Sequence, residues 1–285
     1  MKKVLITGAT GFIGNYVVRE LLNRNCNVIA TSANEEKARQ MSWFDQVVYI
    51  PWRLEAFNEK IDYYLFFDSP DAMIHLAWEG LPNYNDSFHT EINLPRHTNF
   101  LQNLLRNGLT DITVTGTCLE YGMQEGCLKE DMLVFPANPY AVAKNSLRIA
   151  LQELQLQHHF ILKWVRLFYM FGKGQSPKSL LSQLEKALKD NEPVFNMSGG
   201  EQVRDFLQIE KVAEYIVRIA LQNKVAGIIN CCSNQPVTVK QFVEDYLKKE
   251  KKTIKLNPGY YPYPDYEPMR FWGDNTKLKT ILKDE

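Results

Sequence analysis

Near the N-terminus the apolar run Val4-Leu5-Ile6 is stopped by Thr7-Gly8, the pattern of a strand buried on both faces. Behind it Ile13, Val17, Val18, Leu21 and Leu22 recur three to four positions apart, which predicts a helix with one apolar face. Further strands are predicted at 27–31, 46–50, 72–77, 111–115 and 161–167. Helices are predicted near 35–41, 96–107 and 140–159. Alternation of this kind implies an α/β protein with a Rossmann-type, doubly wound parallel sheet and right-handed crossovers. After Leu167 the rhythm changes, and 172–177, 196–200 and 257–268 read as loops between short helices. Residues 1–168 are expected to form the sheet domain and 169–285 a smaller lobe, with 206–232 packing back on the sheet.

Composition narrows the classes. A chain of 285 residues, 45% hydrophobic and 23% charged, suits one large domain or a domain with a lobe. Lys and Arg total 33, as do Asp and Glu, so no general attraction to nucleic acid or anionic lipid is expected. The five cysteines, Cys26, Cys118, Cys127, Cys231 and Cys232, are irregularly spaced without a C-x-x-C pair. That argues for reduced thiols rather than a disulfide framework or a metal site. The first residues run directly into strand pattern, leaving no room for a signal peptide, and no apolar run reaches the roughly 20 residues of a membrane span. A cytoplasmic protein without membrane or nucleic-acid partners is expected.

Candidate chemistry begins at Gly8-Ala-Thr10-Gly11-Phe12-Ile13-Gly14, which follows a strand and opens a helix. Glycines there allow a tight turn and close backbone approach to a dinucleotide pyrophosphate, and the helix N-terminus offers N–H groups to phosphate. The second strand ends in Thr31-Ser32-Ala33-Asn34, without the acid that would hold an adenosine 2′-hydroxyl. Lys37 and Arg39 stand near enough to meet a 2′-phosphate, although they also suit a solvated helix face. NADP(H) is therefore expected in preference to NAD(H). Tyr140 and Lys144, four apart on a helix, share a face. A free phenol titrates near pH ~10, and a neighbouring ammonium stabilises its anion, so the pair forms an acid-base group. Lys144 is also expected to anchor the nicotinamide ribose. Thr117, past the fifth strand, is expected to steady the carbonyl oxygen, and its alternative is a turn residue. Cys118 carries no feature that lowers a thiol pKa and is given no nucleophilic role. His75 is read as packing or hydrogen bonding, and His158 and His159 as helix-end residues.

Taken together, these stretches resemble the extended short-chain dehydrogenase/reductases of the NAD(P)-dependent epimerase/dehydratase family, over essentially the whole chain. Besides the glycine turn, the resemblance rests on Ile74-His-Leu-Ala77, Asn93, Thr117 with Tyr121-Gly122, and Asn138-Pro-Tyr-Ala-Val-Ala-Lys144. It continues in Val165-Arg-Leu-Phe168, Gly172 and Gly200-Glu-Gln-Val-Arg-Asp-Phe206. The resemblance implies that Thr117, Tyr140 and Lys144 form the catalytic trio, and that Leu76, Ala77 and Asn93 join the cofactor site. Trp78, Cys118, Arg204 and Arg270 become substrate contacts, with Arg204 on the diphosphate of a nucleotide sugar. It also implies a homodimer through a four-helix bundle made by the two long helices.

Departures from the family pattern separate reactions. Dehydratases of the family carry an Asp-Glu pair after the threonine, where this chain has Cys118-Leu119. The cysteine of epimerase-reductases falls at Leu119, and no histidine follows residue 159. Arg53 and Tyr169 replace residues that usually meet adenine and substrate. The tail from Tyr260 resembles that of CDP-abequose/paratose-type synthases. Reduction of a nucleotide-bound 4-keto-6-deoxyhexose by NADPH is expected. The alternatives are 4-epimerisation with tightly held NAD, and a non-catalytic dinucleotide sensor.

Overall fold

A computed structural model describes residues 1–283. The first half of the chain runs β1 (Lys3–Thr7), α1 (Phe12–Asn23), β2 (Asn27–Thr31), α2 (Glu35–Arg39), β3 (Val48–Tyr49) and α3 (Tyr63–Phe66). It continues through β4 (Ala72–His75), α4 (Leu94–Arg106), β5 (Asp111–Thr117), β6 (Gly126–Leu128), α5 (Pro139–Leu154) and β7 (Ile161–Leu167). Then come β8 (Tyr169–Phe171), α6 (Leu180–Lys189), β9 (Val194–Asn196), β10 (Val203–Gln208), α7 (Ile209–Leu221) and β11 (Gly227–Cys231). The last elements are β12 (Pro236–Thr238), α8 (Val239–Glu250), β13 (Lys255–Asn257), β14 (Phe271–Gly273) and α9 (Thr276–Leu282).

Seven strands form one parallel sheet in the order β11-β7-β5-β4-β1-β2-β3. This is the doubly wound Rossmann arrangement read from the sequence. The order reverses between β1 and β4, and the crevice at their C-terminal ends is where such sheets bind ligands. Strand periodicity divides the core: Val4 and Ile6 pack with α1 and α7 on one face, while Leu5 packs with α4 and α5 on the other. Each such fully buried aliphatic side chain contributes about 1.5–3 kcal/mol. Lys163 in β7 is buried and bridges Asp111 of β5 (2.7 Å) and the Ala220 carbonyl of α7 (3.1 Å), so its charge is paired where water is excluded.

Several boundaries differ from the pattern. The third strand keeps only Val48 and Tyr49, because it lies at the sheet edge and pairs with β2 alone. The fourth stops at His75, since the Leu76 and Ala77 N–H groups turn to the Thr7 hydroxyl (3.3 and 3.4 Å) instead of a neighbouring strand. The fifth runs on to Thr117, which stays in register with Leu167 of β7. The helix predicted at 140–159 ends at Leu154; Asn138 caps its start, accepting from the Ala141 N–H at 2.9 Å. A π-turn, His89–Asn93, precedes α4.

Helices α6 and α8 and the β9–β13 pair enclose a separate apolar cluster around Leu184, Phe195, Met197 and Val243. Helix α7 packs beside α1, β11 closes the sheet edge next to β7, and α9 returns to the same face through Leu278 and Ile281. Among the described residues no helix is long and apolar enough to cross a membrane.

Candidate active site

At the crevice, Gly8 adopts φ +69°, and a Cβ there would lie 2.9 Å from the Ala77 nitrogen. A Cβ on Gly14 would collide with the Gly8 carbonyl oxygen. The Gly11 N–H closes the turn on the Gly8 carbonyl at 2.9 Å. No side chain caps α1, so the N–H groups of its first turn stay available to an anion.

A cavity of about 760 Å³ opens beside this turn, lined by Thr10, Thr31, Ser32, Trp52, Arg53 and Ala77 among others. The buried Thr31 hydroxyl on its wall has no hydrogen-bond partner among the described residues. Trp52 is held by stacking on Phe100 at 4.4 Å. An orphaned hydroxyl, a fixed aromatic plane and a glycine cradle fit the adenosine and pyrophosphate of a dinucleotide. The cation on this wall is Arg53, whose Nε donates to the Ala33 carbonyl (3.1 Å) at the end of β2. Lys37 and Arg39 do not line it. Lys37 is exposed, and Arg39 donates to Glu35 (2.6 Å) while lying over the Phe44 ring. The carboxylate on the wall, Glu79, stands beyond β4 and within 3.9 Å of Arg96.

A second cleft, of about 1320 Å³ and open to solvent, shares Gly8, Gly11, Leu76 and Trp78 with the first. Phe12, Ile13, Gly14, Thr117, Cys118 and Tyr140 also line it. Thr117 ends β5 as the cap of a short 3-10 turn; its hydroxyl accepts from the Leu119 N–H (3.2 Å), and Glu120 accepts from the Thr117 N–H (2.9 Å). Burial raises the Tyr140 phenol above its ordinary pKa, reinforced by Tyr84, Glu120 and Cys118 and opposed by a hydrogen bond to Thr117. The phenol is therefore neutral at physiological pH. Lys144, one turn on, is buried, donates to the Thr115 carbonyl at 2.9 Å, and lies 4.0 Å from the Trp78 ring centre. Burial lowers its pKa from 10.5 to about 7, against the pull of Glu120.

At the inner wall of the first cavity, Thr7, His75 and His97 form a chain of 2.8 Å contacts. Burial holds His75 neutral with a pKa of about 3, a structural setting rather than that of a general base. Trp78 stacks on His97 at 4.5 Å and donates from its indole N–H to His89 at 3.1 Å. Asn93 lines neither cavity; its amide donates to the Glu79 carbonyl at 2.9 Å and fixes the loop after β4.

Cys118 also lines the cleft, and burial pushes its thiol far up, which suits packing and not attack. Arg204 is buried behind the wall. Its guanidinium donates to the Val203 and Met269 carbonyls (2.9 and 3.1 Å) and to Glu267 (3.0 Å). Glu267, not Arg204, lines the cleft. Arg270 is exposed and lines neither cavity; its backbone carbonyl accepts from Gly126 at 2.9 Å. Sequence reasoning missed Trp52, Glu120 and Glu267 as parts of this site. Glu120 stood three residues after Thr117, the spacing of a capping box, so it was legible. Glu267 carried no local signal.

Residues 4–232 match the NAD dependent epimerase/dehydratase family. The chain is 30% identical over 271 residues, 95% of its length and 98% of the relative's, to a dTDP-6-deoxy-L-talose 4-dehydrogenase (NAD(+)) from Aggregatibacter actinomycetemcomitans. It is 24% identical over 261 residues to a GDP-6-deoxy-D-mannose reductase from Pseudomonas aeruginosa, covering 85% of this chain and 78% of that one. The fold is shared with a UDP-glucuronic acid 4-epimerase from Bacillus cereus solved with UDP-glucuronic acid and NAD, at TM-score 0.83, 23% identity, and coverage of 99% and 93%. The chain belongs to the NAD dependent epimerase/dehydratase family, the extended short-chain dehydrogenase/reductases.

Proposed function

We propose that the protein reduces the 4-keto group of a nucleotide-activated 4-keto-6-deoxyhexose with NADPH. The observation that carries this reading is that Thr117 and Tyr140 face the cleft that also contains the glycine turn, with buried Lys144 beneath. When bound, the nicotinamide supplies a hydride to the sugar carbonyl carbon. Tyr140, neutral at working pH, gives its proton to the carbonyl oxygen, and the product is the alcohol. The Thr117 hydroxyl holds that oxygen, and the Lys144 ammonium steadies the phenolate left behind. Glu120 fixes Thr117 from below through its backbone N–H.

Support for NADPH comes from the end of β2, which bears hydroxyls and no acid, and from Arg53 on the adenosine wall. A guanidinium there suits a 2′-phosphate. The second reading, a 4-epimerase with retained NAD, is favoured by the activity named for the Bacillus cereus structure. Two copies pair, in our reading, through the outward faces of α4 and α5. Deoxysugars made this way enter surface polysaccharides such as O-antigen.

Purified protein incubated with NADPH and CDP- or dTDP-4-keto-6-deoxyglucose tests the reading. Net NADPH consumption is expected with one of them, and Tyr140→Phe should lose ~10²–10⁴-fold in rate while still binding cofactor. Tightly co-purified NAD⁺ with no net oxidation would contradict it.

A further inference from the structure

Trp78 forms part of the wall of both cavities, and its indole is fixed from several sides. It stacks on His97 at 4.5 Å with 17° between the ring planes. Its N–H donates to Nδ1 of His89 at 3.1 Å, and the Asn93 amide donates to the same nitrogen at 3.4 Å. His89 Nδ1 is therefore an acceptor, so the ring proton sits on Nε2 and is given to the Asn83 carbonyl at 3.0 Å. The Tyr140 ring meets the indole edge-on at 6.0 Å. Over this fixed aromatic surface lies the Lys144 ammonium, 4.0 Å from the ring centre.

Lys144 is 2% exposed, and its hydrogen bond to the Thr115 carbonyl supplies no opposite charge. The titratable groups packed around it are Tyr140 on its own helix, Glu120 after β5, His75 of β4, His97 of α4 and His89 of the π-turn. Burial holds the three histidines below their ordinary pKa, His75 at about 3, which favours their neutral forms. Glu120 bears the opposite charge but is already engaged by Arg166 at 2.8 Å and by the Trp164 N–H at 3.0 Å. An indole face attracts a cation, most strongly where water is excluded, and has no such hold on a neutral amine. We propose that Trp78 is a positioning residue: its ring, oriented by His89 and His97, holds the Lys144 ammonium beside Tyr140. That the ammonium serves proton transfer rests on the reductase reading above; that Trp78 holds it does not.

A double-mutant cycle of Trp78→Leu and Lys144→Met in the full chain without cofactor tests the contact. Urea denaturation followed by circular dichroism gives each unfolding constant. Methionine keeps an aliphatic stem against the ring and removes the charge, so the coupling isolates the attraction. Near pH 6, below the value of about 7 at which Lys144 gives up its proton, the two residues should couple by about 5-fold in the unfolding constant. Near pH 9 the coupling should vanish. If Trp78→Leu does not fold, the same cycle with Trp78→Phe decides: a smaller coupling, present near pH 6 and absent near pH 9, is expected. Equal coupling at the two pH values, or none near pH 6, would reduce Trp78 to packing and overturn the proposal. In the NADPH assay with the keto sugars, Trp78→Leu should begin to lose kcat at a lower pH than the wild type as pH rises, because its ammonium is held less firmly. A fall at the wild-type pH would overturn that catalytic consequence. No turnover with either sugar defeats the reductase reading, while the cycle still decides on Trp78.

Discussion

At the scale of single residues the site works by controlling where charge is tolerated. Lys144 is the sharpest case, a buried ammonium held between an aromatic face and a carbonyl, with Glu120 as the nearest compensating charge. In the unfolded chain a lysine keeps its proton to about pH 10.4, whereas Lys144 in the folded protein gives it up near 7. Between those values the unfolded state binds one more proton than the folded state, so stability rises with pH across the window. Below about 7 both states are charged, and the full cost of burying the ammonium is felt. In thermal denaturation of cofactor-free protein from pH 7 to 9.5, the wild type should gain stability relative to Lys144→Met as pH rises. Parallel profiles would contradict the assignment. That Tyr140 and Lys144 lie one turn apart on α5 was legible because Tyr-x-x-x-Lys spacing is local and helical. The contacts of Lys144 with Thr115 and Trp78 were not, since both come from other strands and loops.

At the scale of elements, sequence pattern worked where burial dictates periodicity. Strands β1 and β2 carry the apolar runs Val4–Ile6 and Val28–Ala30, and α1 shows its stripe clearly. It failed where pairing partners decide the ends. Edge strand β3 shrinks, β4 yields its last N–H groups to Thr7, and β5 lengthens because β7 lies beside it. The short pairs β6–β14 and β9–β13 join segments far apart in sequence, which no local window reveals. Helices α4 and α5 pack on the sheet through Leu101, Leu104, Leu147 and Leu151, yet α5 also exposes Val142 (38%) and Ile149 (42%), seven positions apart and so on one side. An apolar strip on a helix whose other face is already buried suits self-association. Light scattering should give the mass of two chains for wild type and of one for Val142→Glu/Ile149→Glu. A monomeric wild type would remove the bundle.

At the scale of the molecule, the second cleft is assembled from distant parts of the chain. The sheet delivers Gly8, Leu76 and Thr117 from the ends of β1, β4 and β5, while the C-terminal tail delivers Glu267 opposite them. That division explains why the glycine turn could be read from a local motif and the approach of Glu267 could not. Arg204 and Arg270 lie in family-like stretches, but folding buries the first behind Glu267 and leaves the second exposed. Lys37 and Arg39 likewise look close to the adenosine in sequence, while the turn at residue 53 brings Arg53 to the wall instead.

The most direct test of net reduction is isotope transfer from added NADPH deuterated at the transferable C4 position. The account predicts stoichiometric deuterium at C4 of the deoxysugar product, read by mass spectrometry, with NADP⁺ released on each turnover. No deuterium gained by the keto sugar, together with C4 inversion of the corresponding 4-hydroxy nucleotide sugar without label from the added cofactor, would contradict it and identify a 4-epimerase.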